Sequence, residues 1–237
     1  ISAGAAMVAV AFIALSAQFN FNAQLYLPYA SFLGALGVTS LVYFIAKQQG
    51  QINITTLILV GVAINALAFA VIGLLSFFAD DSALRLINYW TMGSLGGASW
   101  STIIQAAPLL FISLVGLWRL KEPMNLLLIG ESQAQYLGVD TNKLKLYVII
   151  LVALGVGAVV ALTGLIGFVG LVVPHIARLM VGPHLRNMLP LCMLIGVVVL
   201  LLSDWLARIL IMPAELPIGI ITALLGAPLF IYLIVKN

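Results

Sequence analysis

The chain holds 237 residues, 64% hydrophobic and 7% charged, with a net charge of +3. Globular domains run near 25% charged, so a soluble fold of this size has too little charge to cover its surface, and the class is a polytopic membrane protein. The charge gives no reason to expect nucleic acid, the apolar runs are too long for a β-barrel, and the lone Cys192 rules out a disulfide framework.

The chain begins at Ile1 and enters an apolar run without a basic flank. This start does not read as a signal peptide, and the expectation is a segment upstream of it. A membrane span needs about 20 mostly apolar residues. Eight stretches fit, at 3–19, 28–46, 56–79, 101–118, 144–163, 165–181, 188–210 and 217–235, and they predict an all-α architecture.

Asn65 lies near the middle of the third span. It either lines a permeation path or makes an interhelical hydrogen bond, typically about 1 kcal/mol or less. The segment 80–100 that follows is amphipathic. Asp81 is placed to cap a short helix running through Trp90, and Gly93, Gly96 and Gly97 to end it. Such a piece either covers an external mouth or lies on the surface as a loop.

The stretch 122–147 is the longest polar-containing passage. It sets Leu126, Ile129, Ala134, Leu137 and Val139 against Glu131, Gln133, Gln135 and Asp140, the pattern of an amphipathic helix, with Ser132 as N-cap and Gly138 as stop. A short amphipathic helix between spans lies against the lipid surface or a soluble partner, and the partner is favoured. In the next span, Gly155, Gly157 and Ala158 allow close helix approach. Residues 163–175 hold three glycines and Pro174, the composition of a broken or re-entrant helix.

No catalytic constellation is visible. His175 and His184 lie nine residues apart with no cysteine or carboxylate at ligand spacing, and the expectation for His175 is a packed side chain. No phosphate-binding loop or dinucleotide fingerprint occurs. Asp204 and Arg208 are four residues apart with the acid first, the order that favours a helical ion pair. The alternative for Arg208 is a cation shown to an acidic external partner. Pro213 and Pro217 mark a turn before the last span.

Alternating the spans from the cytoplasm gathers Lys47, Arg119, Lys121, Lys143, Lys145, Arg178, Arg186 and Lys236 on one side, and only Arg85 and Arg208 on the other. This bias predicts that 122–143 and the C-terminus are cytoplasmic, with 80–100 and 211–216 outside. Tyr26, Tyr29, Trp90, Trp100 and Trp205 then fall near outer ends of spans, as interface aromatics do. No chain of intramembrane carboxylates or lysines crosses the midplane, which argues against proton or sodium coupling and for an external motor. The rivals are an ion-coupled secondary carrier and, from another class, a membrane enzyme or assembly scaffold.

The sequence Met124-Asn-Leu-Leu-Leu-Ile-Gly-Glu131 with Ala134 and Leu137-Gly138, then Gly164-Leu-Ile-Gly-Phe-Val-Gly-Leu-Val-Val-Pro-His-Ile-Ala-Arg178, Leu189-Pro190, Asp204-Trp-Leu-Ala-Arg208 and the run from Pro213 to Pro228, resembles the FecCD-type permeases of binding-protein-dependent ABC importers for iron chelates, haem and cobalamin. The resemblance runs the whole length. It implies one transmembrane permease domain over 1–237 with a cytoplasmic coupling loop at 122–143. Family members usually have ten spans; Ile1-Ser-Ala-Gly4 resembles the start of the third, so the first two are expected to be missing.

The resemblance further implies a permease homodimer in the bacterial inner membrane, two ATP-binding subunits and a periplasmic substrate-binding protein. This chain would be non-catalytic and carry no cofactor of its own, with ATP and Mg bound by the partner. It assigns ATPase coupling to Asn125, Gly130, Glu131, Ala134, Leu137 and Gly138, and binding-protein docking to Arg208. It assigns the path and gate to Asn65, Trp90, Gly93, Gly164, Gly167, Gly170 and Pro174. For cargo, Gly61-Val-Ala-Ile-Asn-Ala-Leu67 with Asp80-Asp81 and Leu84-Arg85 looks closer to haem permeases, while Glu122-Pro-Met-Asn125 resembles cobalamin ones. Haem or another iron chelate is favoured, with cobalamin the alternative.

Overall fold

The computed structural model describes residues 1–19, 23–48, 51–52, 54–97, 99–211 and 215–236. Of the turn predicted between Pro213 and Pro217, Pro213 and Ala214 lie outside the described residues. Among the described residues the apolar runs become α1 (Ser2–Phe19), α2 (Ala23–Ala46), α3 (Ile54–Phe78), α5 (Trp100–Leu126), α7 (Thr141–Thr163), α8 (Val169–Val181), α9 (Leu185–Ile209) and α10 (Ile218–Lys236). Two short helices, α4 (Asp81–Met92) and α6 (Glu131–Tyr136), fall in the two polar passages. A two-residue hairpin, β1 (Lys47–Gln48) with β2 (Gln51–Ile52), joins α2 to α3. Five helices, α2, α3, α5, α7 and α9, are long and apolar enough to cross a membrane; α8 is shorter, and so are α1 and α10 over the residues searched.

All eight predicted stretches are helical, with shifted ends, but only five reach spanning length over the residues searched, and the predicted 165–181 is a helix of 13 residues from Val169. α5 runs eight residues past the predicted 118, to Leu126, and carries Pro123 within it. The polar passage between spans is therefore shorter than 122–143. Its helix begins at Glu131, and Gly130, whose φ of 128° is outside ordinary L-residue space, takes the N-cap place predicted for Ser132. Ser132 lies within the helix. Gly138, at φ 86°, stops the helix as predicted. At α4 the cap is Asp80 rather than Asp81: its carboxylate accepts the Ala83 N–H at 2.7 Å, and the helix ends at Gly93. Asp140 caps α7 in the same way through the Lys143 N–H.

Packing follows the small residues. α1 lies against α2, α3 and α4, burying Ala6, Val10, Ile13, Ile72, Ala83 and Ile87 together. α7 sits between α2 and α5. Gly157 faces Ala35 and Phe32 of α2, and Gly155 faces Ser113 of α5, whose hydroxyl donates to the Leu151 carbonyl at 2.8 Å. The predicted close approach is thus made on two sides of one helix. α9 extends the layer from α5 and carries α8 and α10. Large apolar side chains point outward, Phe77 being 81% exposed, as expected where lipid or another helix replaces water.

Candidate functional site

Two ends of the helix bundle hold the residues singled out by the sequence. At one end, three separate segments meet through backbone hydrogen bonds. The Ser94 N–H donates to the Thr163 carbonyl at 2.8 Å, the Leu165 N–H to Trp90 at 3.2 Å, and the Ile218 N–H to Gly93 at 3.1 Å. The C-terminus of α4, the α7–α8 loop and the start of α10 are so joined. Glycine is required at the contact points. A Cβ on Gly93 would strike the Leu165 carbonyl, one on Gly164 the Trp90 carbonyl, and one on Gly219 the Met92 carbonyl. Gly93 and Gly164 also have φ of 72° and 68°, where a side chain is strained.

Three of the predicted gate residues, Trp90, Gly93 and Gly164, therefore converge. Gly167 lies beside them, lining a cavity of about 540 Å³ with Thr91, Met92 and Ile166. Gly170 and Pro174 belong to α8 and do not join the junction; space around Gly170 is open. Asn65 is exposed on α3 and makes no hydrogen bond to another described residue. Gly219 and Met92 were missed by sequence reasoning; nothing local marks a glycine as touching a carbonyl from another segment. Phe168, a non-glycine at φ 64°, begins α8 and packs over Gly226 of α10.

Arg208 lies toward this same end. Its guanidinium donates to both oxygens of Asp204, Nε to Oδ2 at 2.8 Å and Nη2 to Oδ1 at 3.4 Å, so the predicted helical pair forms. Sequence spacing gave no hint of a second carboxylate: Glu215 lies 3.6 Å from Nη1, brought back by the Leu216 N–H donating to the Ala207 carbonyl. Arg208 thus sits between two acids and stays about half exposed.

At the other end, α6 is fastened to α7. Glu131 accepts from the Lys145 ammonium at 2.6 Å, and the Gln135 amide donates to the Thr141 hydroxyl at 2.9 Å. Ala134 is fully buried between these contacts. The opposite side points outward, with Tyr136 91% and Leu137 62% exposed. Of the six predicted coupling residues, Leu137 and Gly138 are exposed, Glu131 faces both outward and Lys145, and Ala134 faces inward. Asn125 is buried. Its carbonyl accepts the Leu185 N–H at 2.8 Å and its amide lies 3.4 Å from Nδ1 of His184, pinning the end of α5 to the start of α9.

Asp80 and Asp140 have carboxyls held below the usual range, first by the N–H groups of Ala83 and Lys143 that they cap, then by the side chains of Ser82 and Lys143. His175 is packed edge-to-face on Phe230 at 6.0 Å, and its Nε2 is buried without a hydrogen bond. Among the described residues no cluster of three metal-ligating side chains occurs.

A layer of apolar helices with a bracketed short helix at each end is a multi-pass α-helical membrane protein. Residues 1–236 match the FecCD transport family, and the chain belongs to it. It is 42% identical over 208 residues to the hemin transport system permease protein HmuU of Yersinia pestis, covering 87% of this chain and 62% of that one. It is 40% identical over 212 residues to the vitamin B12 import system permease protein BtuC of Vibrio cholerae, covering 88% and 62%. A solved structure described as an inward-facing conformation of a metal-chelate type ABC transporter superposes at a TM-score of 0.89 with 34% identity, covering 100% of this chain and 74% of that one. The chain thus spans less than two thirds of the length of the two permeases it resembles.

Proposed function

We propose that the chain is the membrane-embedded permease subunit of an ATP-driven importer that takes up an iron chelate by alternating access. Haem is favoured over a siderophore. The observation that carries this reading is the outward face of α6: Tyr136 and Leu137 stand exposed on a helix whose inner side is tied down. An apolar face held rigidly away from the bundle is what docking to a separate ATPase requires.

The lysine and arginine bias puts α6 in the cytoplasm of an inner membrane and the α4 junction with Arg208 outside. There a periplasmic binding protein would deliver cargo, with Arg208 meeting one of its acidic side chains. Asn125, Gly130, Glu131, Ala134, Leu137 and Gly138 form or support the ATPase platform. Trp90, Gly93 and Gly164 hold the gate element α4, with Gly167, Gly170, Pro174 and Asn65 along the path. Two copies pair around the path and two ATPase subunits bind ATP and Mg; this chain performs no catalysis. Cobalamin is the second reading of cargo, favoured by the near-equal identity to HmuU and BtuC.

The test is co-purification of the full-length permease with its candidate ATPase and binding protein. Stimulation of ATP hydrolysis by haem-loaded binding protein is the expected result. Association with stimulation by cobalamin instead moves the cargo. No association, with uptake that collapses with the proton gradient, makes the protein a secondary carrier and overturns the reading.

A further inference from the structure

We propose that α7 is a stiff rod linking α6 to the α4 junction, and that Lys145 is the positioning residue that fastens α6 to it. The functional half of this inference rests on the reading of α6 as the ATPase-docking element. Three observations carry it. First, both ends of α6 are tied to the first turns of α7, through Glu131 to Lys145 and Gln135 to Thr141. On its other side α6 follows α5 through the turn 127–129 and also packs against the end of that helix.

Second, the far end of the same helix holds the junction. The Thr163 carbonyl accepts the Ser94 N–H, and Gly164 is wedged under the Trp90 carbonyl of α4. Third, α7 contains no proline over its 23 residues, roughly 34 Å at 1.5 Å per residue. α2, α5, α8, α9 and α10 each contain at least one, and proline is the common cause of helix kinks. The two glycines of α7 that could soften it, Gly155 and Gly157, are braced by Ser113 and by Phe32 with Ala35.

Lys145 makes the fastening stiff for an electrostatic reason. Its side chain is only 8% exposed, while that of Glu131 is 48% exposed. Sliding α6 along α7 would pull the Glu131 carboxylate away from this buried ammonium and lengthen a 2.6 Å pair, which costs energy. α6 and α7 therefore move together, and a push on α6 arrives at α4 as a displacement of Gly164. Replacing Lys145 by methionine removes the cation but keeps its bulk, so the fold is expected to survive without the tether.

The test uses the full-length permease, made cysteine-free, with spin labels at Ser132→Cys on α6 and Asn88→Cys on α4, both exposed positions. The expected result is a narrow distance distribution that does not change with nucleotide in the ATPase complex. Lys145→Met should broaden it, already in the permease alone, and Lys145→Arg should restore it. In proteoliposomes Lys145→Met should keep the ATPase bound and hydrolysing while chelate moved per ATP falls about tenfold. An unchanged distribution in Lys145→Met overturns the tether, whether or not any ATPase binds. A broadened one with unchanged transport per ATP overturns the rod as transmission. If Lys145→Met does not fold, Glu131→Ala removes the acceptor of the same pair, and the same distance readout decides. Failure of the wild type to bind any ATPase would count against the docking reading alone, since the distance measurement needs only the permease.

Discussion

The carbonyl oxygen of Trp90 occupies the place where a side chain on Gly164 would begin, and the same carbonyl accepts the Leu165 N–H at 3.2 Å. Gly164→Ala therefore has to break this contact and adopt a strained φ at once. The expected loss is about 2 kcal/mol or more, read as a lowered midpoint of thermal unfolding in detergent. Gly37→Ala, an exposed helical position with nothing within 4 Å, should be neutral or slightly stabilising, by up to about 1 kcal/mol. Equal behaviour of the two would mean that the junction is not tight.

Docking at α6 is best tested where side chains face away from the bundle. Leu137→Asp should weaken ATPase association several-fold while stability stays within about 0.5 kcal/mol, measured by co-purification and thermal unfolding side by side. Glu131→Arg should also weaken association. It additionally sets two cations against each other at Lys145, so its effect includes disturbance of α6 itself. If Leu137→Asp leaves association intact, the exposed face is not the docking surface.

Arg208 is shared between Asp204 and Glu215, and an external partner must compete with both. Glu215→Gln removes one competitor from a half-exposed pair, and solvent screening makes the effect on stability small. Affinity for the binding protein should rise a few-fold, and Arg208→Glu should lower it, with partial recovery against a charge-reversed partner. Salt titration of the affinity checks the assignment, because an Arg208 contact must weaken with ionic strength.

Asn125→Ala leaves the Leu185 N–H without its buried acceptor, and the expected cost is about 1–3 kcal/mol. Amide hydrogen exchange at Leu185 should quicken, reporting a loosened seam between α5 and α9. No change in exchange would show that water replaces the amide.

The cap at α4 gives a pH dependence of definite sign. The Asp80 carboxyl is held below its ordinary value by the Ala83 N–H and the Ser82 hydroxyl. Its contribution is fully present above the unfolded pKa, near 4, and is lost as pH falls through the lowered folded value. Asp80→Asn keeps a capping oxygen without the titration. The wild type should lose more stability than this variant as pH drops below about 4; parallel curves would refute the cap's role.

The eight apolar helices, the short helices in 80–100 and 122–143, the break after Thr163 and the Asp204–Arg208 pair were all legible, because each is written within a few neighbouring residues. The misplaced caps at Ser132 and Asp81 were off by one or two positions for the same reason: several polar residues or glycines stood within reach of each helix start, and only backbone geometry chose Gly130 and Asp80. The sequence by itself thus determined a multi-pass helical membrane protein and, through its motifs, the family. Only the tertiary structure decided that Gly93, Gly164 and Gly219 meet, that Glu215 joins Arg208, and that Glu131 and Asn125 reach partners 14 and 60 positions along the chain. Periodicity and composition fix which residues leave water, but not which of them touch, since that depends on how rigid helices pack at a distance.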